Sequence, residues 1–321
     1  MLKLRLRHWG WGLVLLGAGL CAWDRAAAES FVLPPADLAV VGQLQSTRAD
    51  RAETLLDIAR RFDVGQEEIL LVNPDVDRWL PKPGAEVLLS TSYILPDAPR
   101  RGLVLNLPEM RLYYYGERDE QGRPLVITHP VSIGRMDWNT PLGQTRVARK
   151  TENPVWRPPL SIREEALADG RELPEVVPAG PDNPLGGYAL YLGVPGYLIH
   201  STNKPYGVGM RVTHGCIRMY PEDIEGLYPR VPVGTPVYIV NQPIKLGWHE
   251  ETLFVEVHPR LDEDEQQGPP LLRELLERIY AFAPEFPVQV DGAALKAAVV
   301  WPQGIPLPIS RPGIAAEKAL P

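Results

Sequence analysis

Apolar positions change their period along this chain. From Ala52 onward Leu55, Leu56, Ile58, Ala59 and Phe62 recur at helical spacing, and Ile69, Leu70 and Val72 begin a second apolar turn. Asn73-Pro74-Asp75 stops that second helix. Val87-Leu88-Leu89, after Lys82-Pro83-Gly84, then reads as a short strand. Pro96 to Arg101 combines proline with charge and is expected to be a linker. Beyond it alternation and short apolar runs dominate. Leu103 to Leu107 and Met110 to Tyr115 flank Pro108-Glu109 as a predicted hairpin. Leu125 to Ile133, Arg146 to Arg149, Tyr188 to Leu192, Tyr197 to Ile199 and Val237 to Val240 supply further strands. Adjacent Tyr113, Tyr114 and Tyr115 predict aromatic packing across strands.

Between these strands the segment 151–187 has prolines throughout and is expected to be mostly irregular. A connection of that length inside a compact domain is usually a lid or a binding loop. Pro221-Glu222-Asp223 opens a short helix to Tyr228, with proline and acids in its first turn. Residues 29–48, with Pro34-Pro35, read as an extended lead-in. At the other end, Leu253 to Val257 is a predicted strand, Leu261 to Gln267 an acidic loop and Leu271 to Phe282 an amphipathic helix. Trp301 to Ile309 is proline-rich.

Composition sharpens this picture. Proline makes up 35 of 321 residues, about twice the usual ~5%, which favours loops and edge strands over long helices. The N-terminus has the outline of a secretory signal. Lys3, Arg5 and Arg7 precede an apolar run, Leu13 to Trp23, and Ala26-Ala27-Ala28 offers a cleavage site before Glu29. The run is too short for a permanent span, and Leu20 before Cys21 does not suit lipid attachment. Residues 1–28 carry a net +3, so their removal takes the formal charge from -7 to -10. An acidic, exported chain without a basic stripe is not built for nucleic acid.

Cleavage of that signal leaves Cys216 as the one cysteine of the mature chain. Exported proteins usually pair their cysteines, so an unpaired one points to a reactive thiol. A thiol with a free pKa near ~8.5 reacts at neutral pH only with a base or positive charge beside it. His200 and His214 are the candidates. Gly215 lets the backbone turn tightly before the sulfur and aim amide N–H groups outward, the donors a tetrahedral oxyanion needs. The helix at Pro221 starts too far away for its dipole to help much, so a histidine is expected to lower the thiol pKa. His200, His214 and Cys216 also offer a zinc-ligand set, although neither CxxC nor HExxH accompanies them.

His200, twelve intervening residues, then Thr213-His214-Gly215-Cys216-Ile217-Arg218 resembles the L,D-transpeptidase family of bacterial cell-wall enzymes, with its YkuD-type domain. Ile199 to Asn203 and Gly207 to Val212 are similar to the loop of the ErfK/YbiS/YnhG subgroup. The resemblance implies a mainly β catalytic domain over 99–241, a β-sandwich with short helices and a lid loop, here Val177 to Gly186. It implies Cys216 as nucleophile and His200 as general base and acid, its imidazole oriented by the Ser201 carbonyl. From its position His214 is expected to order the loop or, as the alternative, to carry the proton itself, the Gly215 and Cys216 amides are expected to meet the oxyanion, and Arg218 to clamp a carboxylate or make a structural ion pair.

By the same resemblance the reaction needs no cofactor and no metal. Cys216 attacks the bond between the diamino acid and the terminal D-alanine of a peptidoglycan stem, and an amine resolves the thioester. The acceptor is a second stem, giving a 3-3 cross-link, or the lysine of an outer-membrane lipoprotein. Carbapenems are expected to acylate the same thiol. Residues 40–91 resemble a LysM module, a small α+β unit of βααβ order that binds glycan strands, with Ala52-Glu53-Thr54 where Gly-Asp-Thr is usual. Residues 242–321 resemble the C-terminal extension of some members. A periplasmic location follows from the signal. A non-catalytic wall-binding scaffold is the alternative from another class.

Overall fold

The computed structural model describes residues 29–135, 138–265, 270–282 and 289–310. The leader expected over residues 1–28, with its Cys21, lies outside the described residues. The lead-in contributes more than extended chain: β1 (Glu29–Val32) pairs with the main sheet and β2 (Val40–Gly42) with a later strand.

The helical unit follows in the order β3 (Gln45–Arg48), α1 (Leu55–Arg61), α2 (Gln66–Val72) and β4 (Glu86–Leu89), with β3 antiparallel to β4. Thr54 caps α1. Its hydroxyl accepts the Asp57 amide at 3.1 Å, while the Asp57 carboxylate accepts the Thr54 amide at 2.9 Å, a reciprocal arrangement that contributes about 1 kcal/mol. Leu55, Ile58 and Ala59 of α1 pack with Ile69, Val87 and Leu89 into a core of their own. Asn73 ends α2 and takes hold of β4 as well. Its side chain donates to the Ile69 and Leu88 carbonyls and accepts the Leu88 amide, each at 2.8 Å. The strand β3 escaped the pattern because it is mostly exposed and polar, with no apolar alternation to betray it.

β5 (Ser92–Ile94) leads out of this unit and pairs with β2. Then come β6 (Gly102–Asn106), β7 (Arg111–Tyr115), β8 (Leu125–Gly134), β9 (Gly143–Glu152) and α3 (Leu160–Ala168). β10 (Tyr188–Leu192), β11 (Leu198–His200), β12 (Arg211–Thr213), β13 (Ile217–Met219), α4 (Pro221–Leu227) and β14 (Pro236–Val240) complete the central part. Strand order is β1-β8-β13-β11-β10-β9-β14-β6-β7, and β7 also pairs with β8. That last pairing closes the sheet on itself. The expected mainly β domain is present, its strands joined in one continuous sheet around a core that includes Leu105, Leu112, Ile133, Leu190, Ile199, Ile217 and Met219.

The tyrosines behave as the pattern predicts, with Tyr113 fully buried and edge-on to Tyr93 at 6.4 Å between centroids. The segment 151–187 departs from expectation. It contains the nine-residue α3, which no apolar face announces, since Leu160 and Leu167 are exposed and only Ala166 is buried.

β15 (Ile244–His249) pairs with β16 (Thr252–Val257), and α5 (Asp262–Glu265) occupies the stretch expected to be an acidic loop. α6 (Leu271–Phe282) matches the amphipathic helix, burying Leu275 and Ile279. α7 (Gly292–Val300) and β17 (Leu307–Pro308) finish the described chain, β17 lying in the proline-rich stretch. These elements share a separate apolar cluster yet are fastened to the rest. Lys245 Nζ lies 2.8 Å from Glu109 and 2.7 Å from Glu256, all three buried.

The linker reading of Pro96 to Arg101 is also corrected. Arg100 donates to the carbonyls of Pro34, Pro35 and Leu38, and Asp97 and Gln242 exchange hydrogen bonds at 2.9 and 2.8 Å. The helical unit is docked as well: the Gln66 and Glu67 amides donate to the Val208 and Gly209 carbonyls, both at 3.1 Å. At Gly209, φ is +83° and a Cβ would lie 2.3 Å from the Gln66 nitrogen, so glycine alone permits this approach. Arg111, fully buried in β7, is neutralised by Glu68 of α2 at 2.7 Å. A chain beginning at Arg100 is therefore expected to melt at a markedly lower temperature than the whole protein, read by circular dichroism. An unchanged midpoint would restore the linker reading.

Candidate active site

β11 and β13 are parallel neighbours, with Ile199 opposite Ile217 and His200 opposite Arg218. Parallel strands need a crossover, which here runs through residues 201–216. Ile199 and Ile217 are fully buried in the core. Because side chains alternate along a strand, His200, Arg218 and the flanking positions Leu198 and Cys216 share the opposite face. Cys216 sits one residue ahead of β13, half-buried, its Sγ 3.6 Å from the Gly196 carbonyl.

Hydrogen bonds pin the turn on both sides of the sulfur. Thr140 Oγ1 donates to the Gly215 carbonyl at 3.0 Å and accepts the Gly134 amide at 3.2 Å. Thr213 Oγ1 donates to the Cys216 carbonyl at 2.6 Å. Gly215 takes φ +93°, and a Cβ there would meet the Tyr197 ring at 2.8 Å. The tight turn expected of it is present.

His200 is buried, with Nδ1 2.6 Å from the Ser201 carbonyl. A carbonyl can only accept, so Nδ1 carries the hydrogen and Nε2 keeps its lone pair. Burial, aided by the Arg218 charge, lowers the His200 pKa to about 4, and the Ser201 and Leu185 carbonyls only partly counter this. Burial likewise pushes the Cys216 thiol up, against the pull of the Leu198 amide and Arg218. The expectation that a histidine lowers the thiol pKa is thus corrected. The unliganded site holds a thiol and a neutral imidazole, because a desolvated ion pair costs more than two neutral groups. Arg218 makes no ion pair among the described residues, and its buried Nε has no hydrogen-bond partner.

His214 turns away towards α3. Its Nε2 lies 2.7 Å from Glu165 Oε2, and Arg135 binds the other oxygen of the same carboxylate. Trp138 packs edge-on against the ring at 5.1 Å. The loop-ordering role expected of His214 has this geometric counterpart. Glu165, Arg135 and Trp138 went unnoticed in the sequence, where nothing local marks them. Asn183 holds the proline-rich strap, donating to the Pro154 and Pro178 carbonyls at 2.8 and 3.1 Å and accepting the Leu185 amide at 2.9 Å. Among the described residues two clusters bring three metal-ligating side chains together, and neither contains Cys216. The zinc set of His200, His214 and Cys216 is not assembled.

The model of the L,D-transpeptidase catalytic domain, YkuD, matches residues 100–239. The chain is 40% identical over 278 residues to the probable L,D-transpeptidase YcfS of Escherichia coli K12, covering 85% of each. It is also 40% identical to the probable L,D-transpeptidase YbiS of that strain, over 78% of this chain and 80% of the relative. With the probable L,D-transpeptidase ErfK/SrfK of Salmonella typhimurium identity is 41%, over 74% of this chain and 76% of the relative. Similarity at this level across most of both chains, joined to a thiol, an imidazole and a guanidinium on one face of two paired strands, places the chain in the L,D-transpeptidase family.

Proposed function

We propose that this protein is a periplasmic peptidoglycan L,D-transpeptidase with Cys216 as nucleophile and His200 as general base and acid. The observation that carries this reading is the shared face of β11 and β13, on which the thiol and imidazole positions lie diagonally across two paired strands. As Sγ bonds to the donor carbonyl carbon, its proton passes to His200 Nε2. The oxyanion is met by the amides of Gly215 and Cys216, and Arg218, with no anion of its own, takes the free carboxylate of the terminal D-alanine. The C–N bond then breaks and His200 returns the proton to the departing amine. A thioester remains. The acceptor amine attacks it, gives its proton to His200, and the thiol is re-formed.

A thioester yields readily to amines, so the outcome depends on excluding water. That task falls to the strap over 177–186 and to α3. The acceptor is the diamino acid of a second stem or the lysine of an outer-membrane lipoprotein, and the β3-α1-α2-β4 unit, as a LysM module, holds the glycan strand. Mass spectrometry of products from a disaccharide-tetrapeptide, with and without a lipoprotein C-terminal peptide, tests this. Loss of D-alanine and an amide-linked product are expected, as is a single carbapenem adduct on Cys216. An adduct on a serine would overturn the reading.

The pH profile carries a separate expectation. A base must be unprotonated to act, and His200 is neutral down to about 4. We expect kcat/KM to stay level from roughly pH 5 to pH 8 and to fall on the acid side with a midpoint near the His200 value. An acid limb centred near the ordinary ~6.5 of a solvated imidazole would show that His200 is not the base.

A further inference from the structure

Three buried side chains outside the thiol centre converge where the helical unit meets the sheet. Asp63 comes from the turn between α1 and α2, His129 from the middle of β8, opposite Leu112, and Asp223 from the first turn of α4. All three are buried. His129 Nδ1 lies 3.8 Å from Asp63 Oδ2 and 3.6 Å from Asp223 Oδ1. Both carboxylate oxygens of Asp63, His129 Nδ1 and Asp223 Oδ2 are sealed from solvent without a hydrogen-bond partner. Charged carboxylates in such a place are strongly unfavourable unless a cation lies between them or a proton neutralises them.

The neighbouring cation does not serve. Arg111 gives Nε and Nη2 to Glu68 at 2.7 and 2.9 Å, and reaches only the main-chain carbonyl of Asp63. His129 Nδ1, for its part, has no hydrogen-bond partner. The second buried cluster, Glu109, Glu256 and His258, shows what completes such a constellation. There the Lys245 ammonium sits 2.8 and 2.7 Å from the two carboxylates. Among the described residues no ammonium fills the corresponding place between Asp63 and Asp223.

We propose that Asp63, His129 and Asp223 form a binding site for a divalent transition cation of the zinc class, which clamps the helical unit and α4 to β8. The donor set suits that class. An imidazole nitrogen disfavours calcium and magnesium, which take oxygen ligands in larger number. One oxygen each from Asp63 and Asp223, with His129 Nδ1, gives three donors and leaves a fourth position for a small ligand. Zinc bonds of ~2.0–2.2 Å in tetrahedral array set donors roughly 3.3–3.6 Å apart, close to the separations found. The site shares no residue with the thiol centre, so the cation has a structural part, holding the helix that follows the Cys216 strand.

The test uses the full protein carrying Cys216→Ser, so that zinc cannot bind the thiol. After treatment with a chelator it is titrated with Zn²⁺ alone, and separately with Co²⁺. Uptake of about one zinc per chain, a rise in melting midpoint and a visible cobalt d–d band are expected. Adding Asp223→Asn should reduce uptake to below about a tenth and abolish the zinc-dependent rise. If that variant does not fold, Asp63→Asn is the second test. No uptake and no shift of melting by zinc or cobalt would overturn the assignment and leave a proton shared between Asp63 and Asp223. Uptake that survives both substitutions would overturn it equally.

Discussion

Replacing Cys216 by alanine is expected to stop D-alanine release and acyl-enzyme formation completely while leaving the melting midpoint where it is. The sulfur is the only covalent carrier in the proposed reaction. Its weak contacts, 3.6 Å to the Gly196 carbonyl and one with the Leu198 amide, contribute little to the fold. The turn around it is held by Thr140 and Thr213 instead, and these remain. His200→Gln should lower kcat/KM by the ~10²–10⁴-fold typical of a lost general base, measured by D-alanine release. His214→Ala is expected to raise KM more than it lowers kcat, since it frees α3 from the catalytic turn. If His200→Gln keeps full activity and His214→Ala loses it, the two histidines have been assigned the wrong way round.

Arg111→Met is expected to remove about 3–5 kcal/mol of stability, the usual consequence of breaking a buried ion pair by deleting one partner. Arg111 is fully enclosed, holds Glu68 through two hydrogen bonds, donates to Thr128 and the Asp63 carbonyl, and lies 4.3 Å over the Tyr93 ring. Removing it leaves the Glu68 carboxylate without its counter-charge. Exchanging Glu68 for glutamine as well should recover part of the loss, because the buried charge then goes too. Denaturant unfolding of the two variants measures this, and a loss below about 1 kcal/mol for Arg111→Met would mean that the helical unit is only loosely seated.

The catalytic stretch was legible because its signals are local. His200, Gly215, Cys216 and Arg218 lie within a short run of sequence, and the strands that carry them alternate cleanly against Ile199 and Ile217. Elements with one apolar face were found for the same reason, as with α1 and α6. What escaped detection had no periodic face or depended on distant partners. α3 buries one alanine, and β3 is polar. Arg111 with Glu68, Glu165 with His214, and Lys245 with Glu109 and Glu256 join positions far apart in sequence. The direction of the thiol pKa was misjudged because sequence lists the charges near a sulfur but not how much water surrounds it.

The parallel pairing of β11 with β13 has an evolutionary consequence. Main-chain hydrogen bonds set the spacing of thiol and imidazole, and these do not depend on side-chain identity. The strap is secured elsewhere, by Asn183, whereas the His214–Glu165 contact ties α3 to the turn itself. On the proposed mechanism a lineage can therefore exchange residues of the strap over 177–186, and with them the amine admitted to the thioester, while the spacing of the reacting groups is inherited unchanged. Duplicated copies of such a gene are free to diverge in acceptor without first rebuilding their chemistry.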